Sequence, residues 1–167
     1  SFYRKADQSA DEDYLASDLL WASTTASKTT NAVPLNFTHK LAKINVTLTS
    51  DEIEDLSGAS IYICATKNSV NFNTTTGELS DLSSAEFNDV KAGITTSTNQ
   101  TVSAIIIPRT ISANVGFIKV VKGGKTFTYN LTKEIKLESG KSYSYTVNLK
   151  EKQIQMAIVS SSITSWD

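Results

Sequence analysis

The chain has 167 residues, a formal net charge of −1 and a sequence pI near 5.8. That length supports one domain with its own core, and the near-neutral charge excludes the basic footprint of a nucleic-acid or anionic-lipid binder. Cys64 is the only cysteine, which excludes an intrachain disulfide and a cysteine-rich zinc site. No apolar run is long enough for a membrane-spanning helix.

Residues 1–32 differ in composition from the rest of the chain. Asp7, Asp11, Glu12, Asp13 and Asp18 surround Tyr14, Leu15, Leu19, Leu20 and Trp21, and a Ser/Thr/Ala-rich stretch closes the segment. Ser9 and Glu12 have capping-box spacing, which predicts a short helical turn. The segment reads as the tail of a missing first domain plus a linker, with residues 33–167 as a β-sandwich domain.

From Val33 onward strand signals alternate with turn chemistry. Val33, Leu35, Phe37, His39 and Leu41 share one parity, whereas Ile44, Val46 and Leu48 take the other. Period-two alternation predicts one buried face, so the change of parity predicts a bulge or bend near Ala42 in a long strand feeding two sheets. Thr49 to Leu56 reads as a polar connection with room for one helical turn. Strands are predicted at 59–65 and around Val70 and Phe72, and a weakly hydrophobic connection at 80–93.

Thr101 to Ile107 is a further strand, ended by Pro108, which lacks the donor a central ladder needs. Val115–Val121 and Thr126–Leu131 flank Gly123-Gly124, a hairpin signal because both turn residues accept positive φ. Ile135 and Leu137, then Tyr143, Tyr145, Val147 and Leu149, continue the pattern. A last strand holds Ile154, Met156 and Ile158, followed by a segment with Ile163 and Trp166. About a quarter of the residues are Ser or Thr, and with the β-branched and aromatic residues they suit pleated surfaces. The fold class is all-β, an antiparallel β-sandwich.

No catalytic constellation emerges. His39 is the only histidine; its parity predicts a buried or half-buried structural role, since a general base needs a nucleophile within reach. The acids at 11–13 and 51–55 lack the spacing of a calcium loop, and no metal or cofactor is expected. The N-x-[ST] sites at Asn36, Asn45, Asn73, Asn99 and Asn130 are ordinary for so much Ser and Thr. Cys64 reads as a small apolar residue within a strand. Phe72, Phe117, Phe127, Tyr129, Tyr143, Tyr145 and Trp166 read first as core, with a sugar-stacking platform as the alternative.

Four blocks taken together resemble the fimbrillin family of Bacteroidetes-type (type V) pili. They are Asp18-Leu19-Leu20-Trp21-Ala22; Phe37-x-His39-x-Leu41-Ala42-Lys43-Ile44; Ile105-Ile106-Ile107-Pro108; and Gly140 to Leu149 followed by Ile163-x-x-Trp166. The resemblance implies a transthyretin-like, Greek-key sandwich, mainly the C-terminal domain of such a subunit. It also implies a secreted protein at the cell surface, outer-membrane anchored or fimbrial, with no enzymatic activity and no cofactor.

Its partners would be other pilus subunits, of its own or homologous kind, joined by β-strand donation. A host or bacterial surface glycan or protein would be a further contact. A carbohydrate-binding sandwich module is the alternative function. Ile154, Met156, Ile158, Ile163 and Trp166 are the candidate strand-donor or groove residues; the competing reading makes their segment the last strand of its own domain.

Overall fold

The computed structural model describes residues 1–28, 32–150 and 155–166, apart from the side chain of Gln155. In chain order the first elements are β1 (Phe2–Tyr3), α1 (Asp11–Ala16), β2 (Leu20–Trp21), β3 (Thr38–His39), β4 (Ala42–Ser50), β5 (Ser60–Lys67), β6 (Ser69–Phe72) and β7 (Leu79–Ser80). They are followed by β8 (Phe87–Ile94), β9 (Thr101–Ile106), β10 (Arg109–Ile111), β11 (Gly116–Lys122), β12 (Lys125–Asn130), β13 (Ile135–Leu137), β14 (Lys141–Lys150) and β15 (Gln155–Ser165).

Two four-stranded sheets, β12-β11-β5-β8 and β15-β14-β4-β9, form the body. Their inner faces share one core, with Ile44, Val46, Leu48 and Val147 from one sheet and Ile61, Ile63, Ile118 and Val120 from the other. This is the all-β sandwich expected. One ladder departs from the antiparallel rule: β4 and β14 run parallel, Ile44 opposite Tyr143 and Leu48 opposite Val147. A parallel pair needs a long crossover, and here the chain builds most of the sandwich between the two strands.

The bend falls near Ala42, where the parity change places it, but it separates two strands of different sheets and does not kink one long strand. β3 ends at His39, β4 starts at Ala42, and Leu41 and Ala42 are both fully buried. They serve different layers. Ala42 joins the core between the sheets, whereas Leu41 joins Val70, Ile105 and Ile107 in a second cluster that includes Phe2, Tyr14 and Leu19. That second layer also explains the Ile105-Ile106-Ile107 run, because a strand covered on both faces loses its alternation.

Several expectations need correction. Val33, Leu35 and Phe37 do not share a buried face with Leu41; they are 46 %, 52 % and 61 % exposed. Among the described residues β3 pairs only with β2, in a two-stranded ribbon, and no second layer covers the alternating residues. The connection at 80–93 contains the second sheet's edge strand β8. Its inward residues Val90, Ala92 and Gly93 are small, and register shifts against β5 break any regular pattern. The capping box does not form: α1 starts after Ala10 without a side-chain cap, because the Ser9 hydroxyl bonds Asp7 instead. After Ser50 no helical turn forms; Ser50 Oγ accepts the amides of Glu52 and Ile53.

The Lys122–Lys125 hairpin pairs as predicted, with Gly123 and Gly124 at φ of 56° and 76°. Pro108 does lie just beyond β9, and the last strand runs unbroken to Ser165.

Candidate functional site

The two lateral sides of the sandwich are finished differently. Along β8 and β9, residues 6–8 seal the side. The Lys91 amide donates to Ala6 O at 2.9 Å, and the Gln8 amide donates to Lys91 O at 2.9 Å. The Gln8 carboxamide then reaches the other sheet: its Oε1 accepts the Ile105 amide at 2.8 Å and its Nε2 donates to Ile105 O at 2.9 Å. One side chain thus occupies the ladder position of a missing neighbour strand. Gln8 is buried, as expected for an amide with its hydrogen bonds made.

Arg4 anchors this seal. Its guanidinium donates to Lys67 O at 2.8 Å, Thr66 Oγ1 at 2.7 Å and Asn88 Oδ1 at 2.6 Å. Burial lowers its pKa to about 10, partly opposed by the Asp89 carboxylate.

On the opposite side, bordered by β12 and β15, no such seal occurs among the described residues. Among the described residues β15 is the outermost strand of its sheet and pairs with β14 alone. Met156, opposite Leu149, is buried in the core, and Ile158, opposite Val147, is half-buried against it. A bulge then leaves Val159 unpaired and 59 % exposed. Ile163 lies opposite Tyr143 and so shares its inward face. Tyr143 is buried while Ile163 is 65 % exposed, so the facing sheet does not reach it. Ile154 lies outside the described residues.

Trp166 ends the segment on the outer face of the sheet. Its amide donates to Gly140 O at 2.9 Å, and its indole stacks on His39 with ring centroids 3.8 Å apart. His39 Nδ1 sits 2.9 Å from Asp18 Oδ1, and both side chains are largely shielded. Asp18, His39 and Trp166 come from three of the four blocks that carry the family resemblance, and the fold unites them. Their separation of 21 and 127 positions hides this from any local pattern. No hydroxyl or thiol bonds the His39 ring among the described residues.

The other candidates hold ordinary structural places. Cys64 is half-buried, and burial pushes its thiol up to about 12. Phe117, Phe127 and Tyr143 belong to the core. Asn45 is taken up by hydrogen bonds to Ser142 and Ser144. A cleft of about 680 Å³ lies near Lys40, Val70, Leu79 and Ile107. Trp21 lies near this cleft, with Gly77 packed on its ring and Lys40 Nζ 5.4 Å from its centroid. No cluster of three or more metal-ligating side chains occurs among the described residues, and none of their helices is long and apolar enough to cross a membrane.

Comparison with known proteins agrees with this architecture. A protein from Bacteroides uniformis assigned to cell adhesion superposes with a TM-score of 0.73 at 20 % identity, covering 95 % of this chain and 64 % of its own. A similar protein from Bacteroides ovatus gives 0.63 at 25 % identity, covering 81 % and 48 %. The C-terminally truncated tip fimbrial protein of Porphyromonas gingivalis gives 0.51 at 12 % identity, covering 78 % and 52 %. The chain therefore spans less than two thirds of each of these structures. No curated protein matches the sequence. The fimbrillin-like family model matches residues 1–166, and the chain belongs to that family.

Proposed function

We propose that this protein is a structural subunit of a fimbrial or adhesive assembly at the cell surface, joined to a neighbouring subunit by a strand added at the free edge of β15. Membership of the fimbrillin-like family supports the coarse role. The observation that carries the finer one is the difference between the two sides of the sandwich. Residues 6–8 bond the backbone of Lys91 in β8 and of Ile105 in β9, whereas among the described residues β15 pairs on one side only, beside an exposed, inward-facing Ile163.

An exposed strand edge is a template for another chain, and strand addition to such an edge is a recurring mode of recognition. An incoming strand would satisfy that ladder and place an apolar side chain over Ile163. Within this reading β15 is first the last strand of its own domain and then the acceptor edge. Its role is to receive a strand.

The test is a Val159→Lys/Ile163→Lys double variant of the full chain. Both positions are exposed, so the fold should tolerate the charges. The expected result is a folded protein, by circular dichroism, that no longer co-assembles with partner subunits in light scattering or crosslinking. Assembly indistinguishable from that of the unmodified chain would overturn the proposal.

A further inference from the structure

The outer face of the β15-β14-β4-β9 sheet has two zones. At one end Leu41, Ile105 and Ile107 are roofed by Phe2, Tyr14 and Leu19. Beyond Trp166 the face continues with polar side chains in register. Ser162, Ser144, Asn45 and Ser103 form one row across the four strands, and Ser160, Thr146, Thr47 and Thr101 form the next. Strand geometry spaces such groups by about 4.8 Å across the sheet and about 6.7 Å along it.

Charge is almost absent from this zone. Lys43 is its only ionised group among these rows and the adjoining Thr164, Ser142, Lys43 row, although 20 % of the whole chain is charged. The other sheet, by contrast, carries the Lys119–Asp89 pair and Lys91 bonded to Asp7.

The hydroxyls are also oriented. Asn45 Nδ2 donates to Ser142 Oγ at 3.0 Å and Ser144 Oγ at 3.1 Å, and Asn45 Oδ1 accepts from Ser103 Oγ at 2.8 Å. Ser144 accepts from Asn45 and so keeps its own O–H to donate, whereas Ser142 is buried. Thr146, Ser160, Ser162 and Thr164 have no side-chain partner among the described residues.

A second, independent feature lies on the same face. Asn148 shares the parity of Ser144 and Thr146 and is only 8 % exposed. Its Nδ2 lies 3.3 Å from Asp51 Oδ2, while its Oδ1 accepts no hydrogen bond among the described residues. A buried acceptor without a donor is costly, and it borders the hydroxyl rows on the Thr49 and Asp51 side.

We propose that this face binds a neutral, extended glycan chain. A polyhydroxylated ligand both donates and accepts hydrogen bonds, which matches rows of hydroxyls and amides. An ionic polymer finds almost no counter-charge here, and an apolar partner finds no apolar surface. One face of the Trp166 indole lies on His39, and recognition rests on the rows of hydroxyls and amides. Hydrogen bonds exchanged with water yield little net affinity, so one copy binds weakly. Repetition along an assembly would raise avidity, and that last step rests on the proposed role as an assembling subunit.

The experiment multimerises the full chain on beads and screens it against neutral and charged glycans. The monomer is then run in native affinity gels containing linear glucan, mannan or xylan. The expected result is retardation by a neutral polysaccharide, weakened at least tenfold in a Thr146→Glu/Ser162→Glu variant of unchanged circular dichroism. Thr128→Glu, exposed on the other sheet, should retain binding. The Val159→Lys/Ile163→Lys variant should keep monomer retardation even where assembly is lost, which separates this site from the strand edge. No retardation by any neutral glycan, capture of charged glycans alone, or a Thr146/Ser162 variant that alters only self-association would each overturn the proposal.

Discussion

The imidazole of His39 lies flat against the indole of Trp166, with centroids 3.8 Å apart and planes within 7° of parallel. His39 closes the ribbon that leads into the sandwich, and Trp166 comes directly after the strand that leaves it. The stack therefore fastens the end of β15, which from Val159 to Ser165 is exposed and held otherwise by the β14 ladder. Trp166→Ala should cost about 2–3 kcal/mol, below the range for a fully buried tryptophan because it is half-buried. His39→Ala should cost about 1–2 kcal/mol from the lost ring contact and the unpaired Asp18. Urea unfolding gives the magnitudes, and hydrogen exchange should show residues 159–165 opening first in both variants. Unchanged exchange there would mean that the ladder alone secures the strand.

Arg4 offers a sharper stability test. Replacing it by Met keeps bulk but strips donors from Thr66 Oγ1, Asn88 Oδ1 and Lys67 O. A loss of about 2–4 kcal/mol is expected. Because Arg4 holds down the segment that seals β8 and β9, limited proteolysis should also cut residues 1–10 sooner. Arg4→Lys should fall between, since one ammonium cannot reach acceptors arranged for a planar fork.

Gly77 and Gly58 separate two effects of adding a Cβ. Both have φ of +72°, but at Gly77 the new atom would meet the Trp21 ring at 2.6 Å, whereas at Gly58 nothing lies within 4 Å. Gly58→Ala should cost about 1–2 kcal/mol from the left-handed backbone alone. Gly77→Ala should cost about 1–3 kcal/mol more, as expected of overpacking against a ring. Its tryptophan emission should shift, while that of Gly58→Ala should not.

Alkaline pH should unfold the protein through groups held neutral by burial. Burial pushes the Cys64 thiol from an ordinary 9.0 up to about 12 and the Tyr145 phenol from 10.0 up to about 12. Between those limits the unfolded chain has released protons that the folded chain still holds. Stability is therefore fully present below pH 9 and declines as pH rises toward 12. Melting temperature against pH should show that decline, and Tyr145→Phe should reduce it between pH 10 and 12. The same cause predicts slow labelling of Cys64 by a thiol reagent at pH 8 and fast labelling in denaturant.

Much of the strand content was legible because alternation is a local property. Ile44, Val46 and Leu48 mark β4, Tyr143 to Leu149 mark β14, and Gly123-Gly124 marks the turn between β11 and β12. The missed strand β8 shows the limit: small inward residues and bulges against β5 leave no alternation to read.

By itself the amino-acid sequence determined that the chain would be pleated, where it would bend near Ala42, and that no metal-ligand or nucleophile–base spacing was present in any local motif. Those features depend on neighbours within a few positions. Tertiary structure alone decided what covers each face and edge. Val33, Leu35 and Phe37 alternate as well as any core strand yet lie exposed, because no layer is placed over them. Asp18, His39 and Trp166 meet, Gln8 caps Ile105, and β4 pairs in parallel with β14 only because distant segments are brought together. Coverage and edge closure are contacts across about a hundred residues, and periodicity carries no information at that range.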